Sequence, residues 1–206
     1  MSAALTPTDT TFITLLSRRS IRRYQARTVA PSLVTQILEA AIWAPSAHNR
    51  QPWRFAVITD AGLKSRLAEA MGERLRCDLA ADGAPDAVIA SDVQRSRQRI
   101  TSAPCLIVVC LSMVDMDAYP DERRQHNEFL MAAQSTAMAG QNLLLAASAL
   151  GLGACWMCAP LFAQDTVREV LSLPDDWQPQ GMVTLGYPDE TRVKTRHALE
   201  KSIMWR

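Results

Sequence analysis

Four short segments of this chain concentrate side chains able to do chemistry. The first, Ser17-Arg18-Arg19-Ser20-Ile21-Arg22-Arg23-Tyr24, sets four guanidinium groups and the Ser20 hydroxyl just past an apolar helix start. Arginine's planar fork of donors suits phosphate and carbonyl oxygens, although a basic cluster alone reads equally as a solvated face. The second runs from Ala44 to Phe55 and enters a strand, with His48, Asn49 and Gln51 held between Pro45 and Pro52. Prolines stiffen such a loop, and its neutral donors and acceptors can read the edge of a heterocycle. Taken alone, His48 also suits an ordinary surface loop, and Trp53 an ordinary core anchor.

The third segment, Gly151-Leu152-Gly153-Ala154-Cys155-Trp156-Met157-Cys158, is where a helix ends on glycine and a strand begins. Its C-x-x-C could be a dithiol centre or half a zinc site. No second cysteine pair lies nearby, the histidines are only His48, His126 and His197, and strand residues at i and i+3 point to opposite faces. No metal or dithiol role is therefore expected. The Gly-x-Gly lacks the third glycine and the preceding strand of a dinucleotide fingerprint, so it carries no phosphate role. The fourth segment is Gly186-Tyr187-Pro188 followed by Lys194-Thr195-Arg196-His197, a basic pair that alone reads as a charged tail.

The elements that must position these segments follow from periodicity. After Pro31 the apolar residues Val34, Ile37, Leu38, Ala41 and Ile42 mark one face of a helix that stops near Pro45. Phe55 to Thr59 reads as a strand, Ala61 to Arg76 as a helix and Ala80 to Ala87 as a loop. Val88 to Ser102 carries Arg95, Arg97 and Arg99, and a solvated helix face is the plain account of them. Cys105 to Leu111 is a continuous apolar run that fits a strand buried on both faces. Ala154 to Cys158 and Met182 to Leu185 are further short strands, and Asp165 to Leu171 is a helix behind an Asp N-cap. The alternation predicts a sheet covered by helices, with strand order unreadable.

Phe129 to Gln164 contains no charged residue, and Phe129 to Leu150 is long enough to span a bilayer. Gln134, Gln141, Asn142 and Ser148 interrupt the run, and no Lys/Arg cluster follows it, so a helix buried on all sides is expected instead. The 206 residues fit a single domain, 1–206, and no linker or repeat divides them. A formal net charge of +1 gives no field that would recruit nucleic acid or an anionic membrane. Five cysteines, an odd number, with Cys105 and Cys110 in an apolar run, fit reduced thiols and a cytoplasmic location. Met1 to Thr11 lacks the pattern of a secretory signal.

In order and spacing, the four segments together resemble the nitroreductase family of FMN enzymes, from about Leu15 to Arg196. The stretch from Gln141-Asn142-Leu143-Leu144 through Leu173-Pro174-Asp175-Asp176-Trp177 to Gly186-Tyr187-Pro188 is most similar to the FMN-binding C-terminal domain of the bifunctional enzyme that makes coenzyme F420. The resemblance implies an α+β fold with a central, mostly antiparallel sheet flanked by helices. It also implies a homodimer with a long buried interface helix and FMN shared between the two chains. Arg18 and Arg196, with Lys194, would hold the FMN phosphate, and Arg19 is a further cofactor-binding residue. Ser20, Arg22 and Asn49, joined by His48 and Gln51, would line the polar edge of the ring. Backbone groups of Trp156, Met157 and Cys158 would lie near flavin N5. Family members with a Glu-Gly pair after the third segment have Cys158-Ala159 here. NAD(P)H would be the electron donor in a ping-pong cycle that needs no catalytic side chain, because the flavin carries the redox chemistry. The oxidants implied are nitroaromatics, quinones or enones. Two alternatives are a deazaflavin precursor as substrate, and a flavin-binding module without turnover.

Overall fold

The structure, a computed structural model, describes residues 10–206; the expectation of no secretory signal falls mostly outside them. Its organising strand is β2 (Cys105–Leu111), in which all seven residues are buried. Alternate strand residues face opposite ways. Accordingly Cys105, Ile107 and Val109 pack on α2 (Pro31–Ala41) and α5 (Glu122–Ala149), through Ile37, Ala41, Leu143 and Ala147. Leu106, Val108 and Cys110 pack the other way, on Leu67 and Met71 of α3 (Ala61–Ala81), Ile100 of α4 (Asp86–Ser102) and Val167 of α6 (Gln164–Leu171). The fold is thus α+β, with helices on both faces of one sheet.

The sheet is antiparallel throughout, in the order β1-β2-β4-β3, with β1 at Trp53–Ile58, β3 at Gly153–Met157 and β4 at Gln178–Gly186. Strands β1 and β3 are its two edges. A short helix, α1 (Thr10–Ser17), precedes the basic segment and contributes no buried residue to the core.

Helix ends account for several differences from the sequence reading. α3 runs on to Ala81, and the expected loop shrinks to four residues. There Gly83, at φ 73°, donates to Ala80 O and Ala84 donates to Leu79 O. This glycine-ended motif closes the helix and turns the chain sharply. α5 begins at Glu122, well before the uncharged run, because the Asp121 side chain caps it by accepting from Arg124 N at 3.0 Å. Its end repeats the glycine motif, with Gly151 at φ 73° and Leu152 N donating to Ala147 O. The expected Asp N-cap of α6 is corrected. Ala163 precedes the helix without a side-chain cap, and Asp165 lies inside the first turn, paired with Arg168 at 3.0 Å. There the carboxylate favours the helix N-terminus through the dipole rather than as a cap.

α5 is not buried on every side within one chain. Leu130 and Met138 are 41% and 39% exposed, and with Gln134 and Gln141 they form an open, uncharged stripe. Phe12, Ile13, Leu15 and Leu16 of α1 are exposed as well. Among the described residues no helix is long and apolar enough to cross a membrane.

Candidate active site

The basic segment after α1 is laid along the outer edge of β3. Ile21 N donates to Ala154 O at 3.1 Å, and Ser20 bridges Ala154. The contact is close because position 153 is glycine, where a Cβ would stand 2.7 Å from Ile21. Glu190 fixes the next turn by accepting from Arg22 N at 2.7 Å and Arg23 N at 3.3 Å, while its other oxygen meets Arg192 at 2.7 Å. Burial alone would raise the Glu190 carboxyl. The N–H donors of Arg22 and Arg23, together with Arg192, hold it below its ordinary value instead. Tyr24 closes the segment, its hydroxyl meeting Ile21 O at 2.5 Å and Thr184 Oγ1 at 2.7 Å.

This arrangement gathers the first and fourth segments into one cavity of about 150 Å³, lined by Arg18, Arg19, Ser20, Arg22, Lys194 and Arg196. Such density of like charge is unfavourable by itself. Burial, then the positive charges of Arg196 and Arg19, lowers the Arg18 guanidinium pKa. Arg19 Nη1 donates to Leu16 O and Arg18 O, but its Nε is buried with no hydrogen-bond partner. An orphaned buried donor in a cationic cavity calls for an acceptor. A phosphate, dianionic and rich in lone pairs, fits both features.

Arg22 also lines a second cavity of about 340 Å³ with Trp156, Met157 and Cys158, so the third segment adjoins the first. Since Ala154 O faces outward to Ile21, strand alternation turns the N–H of Trp156 outward too, at an edge no strand covers. The Trp156 indole is held in a slot where Cβ atoms at Gly140 and Gly181 would stand 2.5 and 2.3 Å from its ring. Cys155 is buried and Cys158 exposed; the strand ends at Met157, one residue short of the expected bound, and Cys158 already belongs to the turn that follows, so its exposure does not come from strand alternation.

His48, Asn49 and Gln51 line neither cavity. Their loop feeds β1, at the opposite edge from β3, so three strand spacings, roughly 14 Å, separate the two edges. The loop is strained, with His48, Asn49 and Gln51 at φ 49°, 55° and 50°. Side chains in this region store on the order of 1–3 kcal/mol each, and such outliers cluster at functional sites. The strain is held by Gln51 N donating to Ser46 Oγ, Ala47 N donating to Ser135 Oγ of α5, and an Arg50–Asp117 ion pair. Trp53 is core, at 5% exposure.

Sequence reasoning missed Glu190 and Tyr24, which organise the basic segment. It read Arg95, Arg97 and Arg99 as a solvated face, and as cations for a phosphorylated deazaflavin only if they face the site. Arg95 and Arg99 line the cleft beside Arg22, whereas Arg97 does not. Their spacing of four residues, one helical turn, was the available signal.

Comparison with known proteins places the chain in a family. Residues 15–187 match the model of the nitroreductase family. An NADH dehydrogenase of Thermus thermophilus is 32% identical, with 93% of each chain covered. A protein of Methanothermobacter thermautotrophicus described as an NADH dehydrogenase/NAD(P)H nitroreductase is 31% identical over 84% of this chain and 75% of that one. Among solved structures, a protein of Desulfovibrio desulfuricans described as a nitroreductase, in complex with FMN, superposes with a TM-score of 0.75. It is 26% identical, with 97% of this chain and 98% of that chain covered. The chain belongs to the nitroreductase family, a family of flavin-dependent oxidoreductases.

Proposed function

We propose that this chain is an FMN-dependent oxidoreductase that uses NAD(P)H to reduce nitroaromatic, quinone or enone-type small molecules. The observation that carries the reading is the cationic cavity with its orphaned Arg19 Nε, placed beside Arg22 and the open edge of β3. Bound there, FMN supplies two-electron chemistry, accepting hydride from a nicotinamide and delivering it to an oxidant.

The chain's own residues bind, orient and tune. Arg18, Arg19, Lys194 and Arg196 neutralise the phosphate, and Ser20 offers its hydroxyl beside them. Arg22 stands between this cavity and the next, where its fixed positive charge favours negative charge on a reduced ring. The outward N–H of Trp156 provides a donor at the strand edge, and the backbone of Met157 and Cys158 continues that edge toward the ring. No acid–base side chain is required, and water is an adequate proton source for the oxidant.

His48, Asn49 and Gln51 reach a flavin only if a second chain brings its β1 edge to the first chain's β3 edge. A homodimer through α1 and the open stripe of α5 would cover their exposed apolar side chains and complete the site from both chains. This requirement supports the dimer that the family resemblance implies.

One observation favours the second reading, reduction of a phosphorylated deazaflavin precursor: Arg95 and Arg99 face the cleft and supply cations beyond those the FMN phosphate needs. An anaerobic absorbance spectrum of the FMN-loaded protein, before and after NADH or NADPH, tests the proposal. Bleaching followed by reoxidation with a quinone or nitroarene is expected. Bound flavin that stays oxidised would leave a binding module without turnover.

A further inference from the structure

We infer that the cleft between α3, α4 and the end of β3 is built for an amphipathic anion: a small second substrate with an apolar or aromatic body and one carboxylate or phosphate. The inference rests on the flavin reading above, since it names what reacts beside Arg22.

Three cavities adjoin one another along this cleft. The middle one, of about 340 Å³, contains the end of β3 and is shared with its neighbours on either side. Through Arg22, Arg95 and Arg99 it joins a cavity of about 410 Å³, into which Arg23 and Arg192 also project. Through Leu75, Ser96 and Ala159 it joins another of about 320 Å³, whose floor is Met71, Leu79 and Phe162. The charged groups at that apolar end include Arg74 and Asp78, which pair with each other at 2.9 Å, and Asp82. One end is therefore cationic and the other apolar, with the proposed redox centre between them.

The cationic end is not balanced by acids. Among the described residues, Asp92 pairs with Arg95 and Glu190 with Arg192, while the guanidinium groups of Arg22, Arg23 and Arg99 have no carboxylate partner. Arg99 is half-buried, and half-buried guanidinium groups lose hydration that an anion would replace. Arg95 and Arg99 lie one turn apart on α4 and both line the cleft, Arg95 exposed and paired with Asp92 and Arg99 half-buried, whereas Arg97 lies off the cleft. Arg95 and Arg99 do not line the phosphate cavity, which Arg22 and Arg192 share with Arg18, Arg19, Lys194 and Arg196, so filling that cavity with FMN leaves Arg99 free and Arg95 held only by Asp92. At the other end Phe162, 73% exposed on the turn after β3, offers a ring face to a flat apolar body.

The test compares para-nitrobenzoate with its neutral isostere para-nitrobenzamide on the FMN-loaded wild type, an Arg95→Gln/Arg99→Gln double variant and Arg97→Gln. Binding is measured by calorimetry without a hydride donor, and kcat/KM with NADH and with NADPH. The wild type is expected to favour the benzoate by about ten-fold, a preference lost in the double variant with amide binding and FMN content unchanged. Arg97→Gln should keep the preference. Equal affinity for benzoate and amide in the wild type, or a preference that survives the double substitution, overturns the inference. So does a loss confined to NADPH relative to NADH, which would assign the cations to the extra phosphate of NADPH. Calorimetry needs no turnover, so a failure of the reductase reading would appear separately, as flavin that NAD(P)H does not bleach.

Discussion

The Trp156 indole occupies space that a side chain at Gly140 would take: a Cβ there would stand 2.5 Å from the ring. Gly140 lies in the middle of α5, where glycine is unfavourable to the helix by about 1 kcal/mol relative to alanine. The position is therefore set by packing of the β3 edge rather than by helix stability.

Gly140→Ala separates the two effects. If the slot matters, overpacking outweighs helix propensity and the variant unfolds at lower urea, by about 1–3 kcal/mol. Trp fluorescence should shift and FMN affinity fall with it. A variant more stable than wild type would mean that the indole has room to move.

Glu190 anchors the basic segment through Arg22 N and Arg23 N, and its pKa is depressed. A depressed carboxylate contributes stability above its ordinary value of 4.5 that is lost as pH falls through the folded value. FMN retention should accordingly collapse below about pH 4.5 in the wild type. Glu190→Gln should retain FMN more weakly at neutral pH, by about 1 kcal/mol, and lose the acid step. Parallel acid curves for the two proteins would contradict this role.

Tyr24→Phe removes the hydroxyl's hydrogen bonds to Ile21 O and Thr184 and leaves Thr184 Oγ1 only its bond to Cys155 O, at a cost of about 1–2 kcal/mol in chemical unfolding. Burial raises the Tyr24 pKa, so the folded state favours the neutral phenol. That contribution is intact below pH 10, the ordinary value, and declines above it. A Tyr24→Phe variant as stable as wild type at pH 7 would remove Tyr24 from the account.

Thiol reactivity should divide the cysteines. Cys77 and Cys158 are exposed; Cys105, Cys110 and Cys155 are buried, and burial pushes Cys105 and Cys110 up to about 11 and about 12. Two thiols should react in the native protein and five after denaturation. FMN should slow Cys158 and leave Cys77 unchanged; equal protection of both would place the ring elsewhere.

Much of this was legible in the sequence. The alternation of β2 between two cores follows from an uninterrupted apolar run, and the helix at residues 31–41 from its period. Helix ends were not, because Asp121 and Gly83 act through backbone hydrogen bonds that no hydrophobic pattern reports. The cationic cavity could be anticipated only as an ordered set of segments, since Arg18 and Arg196 meet through tertiary folding. Glu190 was invisible because its partners in the basic segment are the backbone N–H groups of Arg22 and Arg23. The separation of Asn49 from Arg22 depends on strand order, which a sequence does not display.

A Leu16→Asp/Met138→Asp variant places charge on the exposed faces of α1 and α5. Sedimentation should show two chains per particle for wild type and one for the variant, with flavin lost in parallel. A wild type that sediments as one chain with FMN tightly bound would rule out a site shared between chains.

The central claim, that the cavity of Arg18, Arg19, Lys194 and Arg196 is a flavin-phosphate site, is tested most directly by titrating the apoprotein with FMN and with riboflavin. The wild type should prefer FMN by on the order of 100-fold, as several charge-assisted contacts imply, and Arg18→Ala/Arg196→Ala should abolish the preference. Equal affinity for FMN and riboflavin, or a preference that survives the double substitution, would contradict the account.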